Sequence, residues 1–162
     1  MSLAESPKQP SIIAVELDER TVARRNAEVE QERAVAIYDL LEDNLFRPVE
    51  GPDGPFRLRL GMEDNRLVFD VRDGTDRPVT RVPLPILPFR KIVKEYFMIC
   101  EAYYEAIRNA PPSKIEAVDM GRRGLHDQGS TMLRERLAAS IEIDHNTARR
   151  LFTLLCVLQI RQ

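Results

Sequence analysis

Residues 56–62 read FRLRLGM, with Phe56, Leu58 and Leu60 falling on one face and Arg57 and Arg59 on the other. A period of two marks a half-buried strand. RLVFDVR (66–72) continues as a second strand after the turn Glu63-Asp64-Asn65, and VTRVPLPI (79–86) follows a second turn, DGTDRP (73–78). Connections this short join antiparallel neighbours, so the three strands form a meander. Pro83 and Pro85 cannot donate to a ladder and confine the third strand to an edge. Upstream, SIIAVELDE (11–19) reads as an added strand, with Ile13, Val15 and Leu17 as its alternating apolar set.

Elsewhere the period is 3.6. In PFRKIVKEYFMICEAYYEAIRNA (88–110), Phe89, Ile92, Val93, Tyr96, Ile99, Cys100, Tyr103 and Ile107 trace one helical stripe, which Pro111-Pro112 ends. AEVEQERAVAIYDLLEDN (27–44) predicts a helix with a stripe of Ala34, Ile37, Tyr38, Leu41 and Leu45. RPVEGPDGP (47–55) reads as a loop. Residues 113–139 form a further helix with Ser113 as its cap, and NTARRLFTLLCVLQI (146–160) the last, capped by Asp144 or Asn146 and apolar enough all round to be buried. The fold class is therefore α+β: a small antiparallel meander with an added N-terminal strand, packed against about four helices. MSLAESPKQP (1–10) has no apolar core and reads as a flexible tail rather than a signal peptide, leaving 11–162 as a single domain.

The helix at 113–139 contains Gly121, Gly124 and Gly129. Each interior glycine costs roughly 1 kcal/mol relative to alanine, so each needs a reason. On a helical wheel Val118, Leu125, Met132 and Leu133 define the apolar stripe; Gly129 falls inside it, Gly121 at its edge and Gly124 off it. Gly121 and Gly129 are therefore expected to admit a close neighbour, a helix or a second copy of the chain. Whether Gly124 breaks the helix is left open by the pattern.

Beside that stripe lie Asp119, Arg122, Arg123 and His126. Asp119 reaches Arg122 or Arg123 at i+3 or i+4. The row has three readings: a solvated face, an interface with a protein partner, or a site for a phosphate or carboxylate gripped by guanidinium groups. An interface should be flat and should bury Arg123. A ligand site should be concave, with Arg122 and His126 converging.

The totals narrow these options. The chain has 162 residues, net charge −2, and 20 arginines against 4 lysines. That balance disfavours a general nucleic-acid coat, and no stretch is apolar enough for a membrane span. Cys100 and Cys156 sit in apolar helical patterns, as reduced thiols do in the cytoplasm. The pairs His126-Asp127 and Asp144-His145 lack metal-site spacing, and no nucleophile elbow, phosphate loop or dinucleotide fingerprint appears. Neither a metal, a cofactor nor a catalytic residue is expected.

LAASIEIDHNTARRLFTLL (137–155) superficially matches a DNA-binding helix-turn-helix, with Asn146, Arg149 and Arg150 facing DNA. Three features oppose it. Glu142 stands where the turn usually has glycine, Ile141 and Ile143 alternate as if extended, and the following helix is too apolar. The leading expectation is a non-catalytic cytoplasmic interaction or regulatory module, with an unidentified protein partner or a second copy of itself. A DNA-binding regulator and a small-anion-binding protein or enzyme are the alternatives.

Three blocks, RLVFDVRD, PFRKIVKEYFMICEAYYEAIR and IEAVDMGRRGLHDQGS with the later LLCVL, resemble an uncharacterised family of small alphaproteobacterial proteins. The likeness runs from about residue 12 to the end. It implies a bacterial cytoplasmic protein and assigns no activity, ligand or residue role.

Overall fold

A computed structural model describes residues 11–18 and 27–159; the tail expected at 1–10 lies outside them. The order is β1 (Ile12–Leu17), α1 (Ala27–Glu42), β2 (Phe46–Pro48), β3 (Phe56–Glu63), β4 (Arg66–Asp73), β5 (Pro78–Pro85), α2 (Arg90–Asn109), α3 (Pro112–Leu137), β6 (Ile141–Ile143) and α4 (His145–Leu158), with a short 3₁₀ turn at Leu87–Phe89 before α2. The class is α+β, as the change of period implies.

The main sheet runs β1-β3-β4-β5. β3, β4 and β5 are antiparallel neighbours, and β1 joins β3 in parallel. β5, with its prolines, is an edge. The β3–β4 hairpin closes through Asp64 and Asn65 at φ 50° and 61°. Two successive left-handed residues give the turn whose twist matches the flanking strands, and Asp and Asn tolerate that conformation best after glycine. Phe56, Leu58 and Leu60 of β3 and Leu67, Phe69 and Val71 of β4 are buried in one core with Phe152, Leu154, Leu155 and Leu158 of α4. α3 packs on α2 and α4, and α1 packs on α4.

Several phases differ from the expectation. In β1, Ile12 is buried and Ile13 exposed, because the register with β3 shifts between Ile12 and Ala14. In α1 the buried residues are Ala36 and Leu40, while Ala34, Tyr38 and Leu41 are exposed. α1 carries apolar residues on more than one side, and contact with α4 selects among them. Ile107 of α2 is exposed and Ala106 is buried instead. The loop at 47–55 starts inside β2, which pairs with β6 in a separate two-stranded sheet. α3 begins earlier than expected: Pro111 is its cap and Pro112 its first residue, where a missing N–H is harmless, so Ser113 is already inside.

α3 runs unbroken through all three glycines. A Cβ on Gly129 would clash with the edge carbons of the Phe152 ring, and one on Gly121 would lie 2.7 Å from Ile99 Cδ1. One on Gly124 would meet nothing within 4 Å. The first two therefore admit α4 and α2 respectively.

α4 is capped by Asp144, whose Oδ1 accepts from Thr147 N at 2.8 Å. Thr147 is fully buried, and its hydroxyl in turn accepts from Leu45 N at 2.9 Å. Asn44 ties the other end of the same connection: its side chain accepts from Ile12 N at 2.8 Å and donates to Leu40 O at 2.8 Å. These bonds seat α1 over α4. Asp144→Ala should cost about 1 kcal/mol through the lost cap, read as a lower urea midpoint with unchanged slope; an unchanged midpoint would show that the cap is dispensable.

A candidate anion site where four helices meet

The row on α3 opens into a cleft of about 380 Å³ to which all four helices contribute. Helical spacing explains the membership. Arg122 and His126 on α3, and Arg149 and Thr153 on α4, are each four residues apart and so share a face. Tyr96 and Tyr103 lie two turns apart on α2, with Tyr104 beside them. Glu32 and Asp39, two turns apart on α1, complete the walls. The cleft is wide open to solvent, a recess rather than an enclosed cavity. Arg123 stands at the rim, its side chain 64% exposed.

The charges have specific partners. Arg122 donates to Asp119 Oδ1 from Nε at 3.2 Å and from Nη2 at 2.6 Å, and its guanidinium lies 4.5 Å from the centre of the Tyr103 ring. Arg123 takes the other carboxylate oxygen, Asp119 Oδ2, at 2.8 Å. The Arg122 hydrogen bond holds the Asp119 carboxyl below its usual range. Arg150 meets Asp39 at 3.8 Å, and the Tyr104 hydroxyl donates to Glu32 Oε2 at 2.7 Å. Arg149 is half-buried, and among the described residues no carboxylate pairs with it.

His126 lies between Tyr96 and Phe152, each ring centre 5.3 Å away. Its Nε2 is 2.8 Å from Thr153 Oγ1, and the Thr153 hydroxyl donates to Arg149 O at 3.2 Å. With that proton committed, Thr153 accepts, so Nε2 carries the imidazole proton. The other nitrogen, Nδ1, is buried and has no hydrogen-bond partner among the described residues. Burial, then the positive charges of Arg149, Arg122 and Arg150, lower the His126 pKa to about 4, so the ring is neutral at pH 7.

The two histidine pairs of the sequence are re-sorted by the fold. His126 goes to Thr153, whereas His145, at the start of α4, pairs with Asp127 on α3 at 2.5 Å. Among the described residues no group of three or more His, Cys, Asp or Glu side chains is placed to hold a metal ion. Cys100 and Cys156 are both free and buried. Burial pushes the Cys100 thiol up to about 11 and raises Cys156 as well, so both stay protonated.

The structure brings Asp119, Arg122, Arg123 and His126 together, as their spacing implies. It adds Arg149 and Arg150, which the helix-turn-helix reading turned towards DNA. They line the cleft instead, on a helix whose nine buried residues make it part of the core. A signal for this existed: two adjacent arginines on a helix otherwise apolar enough to be buried must face a polar recess. Tyr96 and Tyr103, read as core stripe, are also cleft walls.

Fold and recess together define an α+β protein with an arginine-lined hollow among its helices. The chain belongs to the uncharacterised protein family UPF0262, whose profile matches residues 9–161. The UPF0262 protein of Rhodospirillum rubrum is 60% identical over 150 residues, covering 93% of this chain and 92% of that protein. Those of Paramagnetospirillum magneticum and Azorhizobium caulinodans are 56% and 54% identical over 155 and 158 residues; each alignment covers 96% of this chain, and 99% and 98% of the relatives. The resemblance carried by the three sequence blocks is thus a family relationship among alphaproteobacterial proteins. No solved structure matches the chain. Among the described residues no helix is long and apolar enough to cross a membrane.

Proposed function

We propose that the protein is a cytoplasmic binder of a small oxyanion, phosphate or carboxylate, and that the four-helix cleft is its site. The observation that carries this is Arg149: a half-buried guanidinium with no carboxylate partner among the described residues, beside three further arginines. A partly exposed guanidinium without a carboxylate partner is available to an anion. Burial lowers the His126 pKa most, and the charges of Arg149, Arg122 and Arg150 add to it; that second part also favours a negative charge in the cleft. Arg122, Arg123 and Arg150 are already neutralised in part by Asp119 and Asp39, so they shape the site and Arg149 supplies the free charge. The placement of Arg149 and Arg150 within the cleft favours this reading over DNA recognition.

Arg149→Met keeps the apolar stem and removes the charge. It should weaken phosphate or acetate binding at least tenfold, the scale of a lost hydrogen bond to a charged group, while leaving the ligand-free melting temperature unchanged or raised. Calorimetric titration at low salt measures the first and a thermal melt the second. Glu32→Gln should tighten the same anions. If wild type binds neither anion, or Arg149→Met binds both as well, the proposal is wrong.

A further inference from the structure

We infer that the ligand is not a bare ion but an organic anion with an apolar tail, the oxyanion on Arg149 and the tail lying against Phe97, Cys100, Cys156 and Val157. The inference rests on the anion reading of the cleft and specifies the remainder of the molecule bound there. Behind the arginine-lined cleft lies a second cavity of about 260 Å³. The two share Glu32, Tyr96, Tyr104 and Thr153 as walls, so they adjoin each other. Their chemistry differs. The first carries four arginines against Glu32 and Asp39. The second is lined by Val29, Phe97, Val157 and the two thiols, with Glu101 as its further charged residue.

The hollow is partly open, and its apolar walls lack packing contacts that an occupant would supply. A protein selected to hold only inorganic phosphate or acetate would gain by filling this one. The thiols suit an apolar occupant: they are protonated, small and polarisable, and present no charge to a hydrocarbon. The polar groups on the dividing wall are already satisfied by one another. Tyr104 donates to Glu32, and Thr153 bonds both His126 and the Arg149 carbonyl. A tail passing them displaces no bond that it would have to replace. One cationic and one apolar compartment with a common wall is the shape of a pocket for an amphipathic carboxylate or phosphate ester.

The test is a chain-length series. Acetate, butanoate, hexanoate and octanoate are titrated calorimetrically into the full-length protein, with inorganic phosphate as the tail-free probe. Affinity should rise about fourfold for each added methylene that enters the cavity, the fold-change equivalent to ~0.8 kcal/mol of transfer, and then level off. Arg149→Met should weaken every member of the series by a similar factor. Val29→Phe, which narrows the second cavity from the first turn of α1, should reduce octanoate to the affinity of acetate and leave acetate unchanged. In wild-type protein, the terminal methyl of ¹³C-labelled octanoate should show nuclear Overhauser contacts to Phe97 and Val157. If acetate and phosphate bind but affinity is flat along the series, the tail inference is overturned while the anion reading stands. If affinity rises along the series yet Arg149→Met does not weaken it, or the methyl contacts other residues, the assigned pose is overturned. If no probe binds, both readings fall together.

Discussion

Gly129→Ala should destabilise the protein by ~1–3 kcal/mol, although alanine is the better helix former by roughly 1 kcal/mol. The added methyl would clash with the edge carbons of the Phe152 ring. That ring has no room to retreat: Phe152 is fully buried, with Tyr96 at 6.1 Å and His126 at 5.3 Å between ring centres. Leucine at 129 should be worse. The other two glycines of α3 serve as internal controls. At Gly121 the obstacle is the terminal methyl of Ile99, the movable end of an aliphatic chain, so alanine there should cost less than at 129. At Gly124 nothing lies within 4 Å, so alanine should raise stability by up to about 1 kcal/mol. Urea unfolding of the three alanine variants separates packing from propensity, since propensity alone moves all three midpoints upward together. The ring of Phe152 also backs His126, so the destabilised Gly129→Ala protein should bind anions more weakly, whereas Gly124→Ala should not.

The same helix shows what a sequence pattern can reveal. Gly129 and Gly121 were legible because an apolar stripe and a glycine on it have one economical explanation, a close neighbour. Which neighbour was not legible, because Phe152 and Ile99 belong to other helices. β3 and β4 could be placed to within a residue, since β3 alternates strictly and tight turns bound both strands, although β4 buries Leu67, Val68 and Phe69 in succession. β1 was found with Val15 and Leu17 on the core side as read, but an irregularity between Ile12 and Ala14 turns Ile12 inward in place of Ile13, and nothing local announces it. α1 was found with its stripe misplaced, because Val35, Ala36, Tyr38, Leu40 and Leu41 supply apolar groups on several sides and only the packing partner decides. β2 and β6 are three residues each and pair across most of the chain, Phe46 with Ile143. Short strands have no period to read. The candidate site divides in the same way. Its α3 row follows from local spacing, while Arg149, Glu32 and Tyr103 join it through tertiary packing alone.

Acidification should expose the cost of keeping His126 neutral. Above pH 6.5 the imidazole is uncharged in both folded and unfolded chains, and its burial carries no protonation penalty. Below that, the unfolded chain takes up a proton at its ordinary value of 6.5, whereas the folded chain resists until about 4. Over that window the unfolded state binds more protons, so stability falls with pH by up to about 1.4 kcal/mol per unit, for a total of ~3 kcal/mol, and levels off below about 4. Asp119 titrates beneath this window, because Arg122 holds its carboxyl under the ordinary 3.8. His126→Gln keeps a side-chain N–H donor for Thr153 and removes the titration. The variant should start less stable at pH 7, with Thr153 imperfectly matched, and should lose much less between pH 6.5 and 4 than wild type does. Urea midpoints at half-unit pH steps give the two slopes, and parallel slopes would mean that His126 is not the buried neutral ring described above. Anion binding supplies a coupled result. An oxyanion at Arg149 offsets the positive field that, after burial, pushes the proton off His126, so saturating phosphate should raise the folded-state pKa and narrow the window from its acid end. By reciprocity, phosphate should bind more tightly as pH falls towards 4 in wild type, and His126→Gln should lose that part of the dependence.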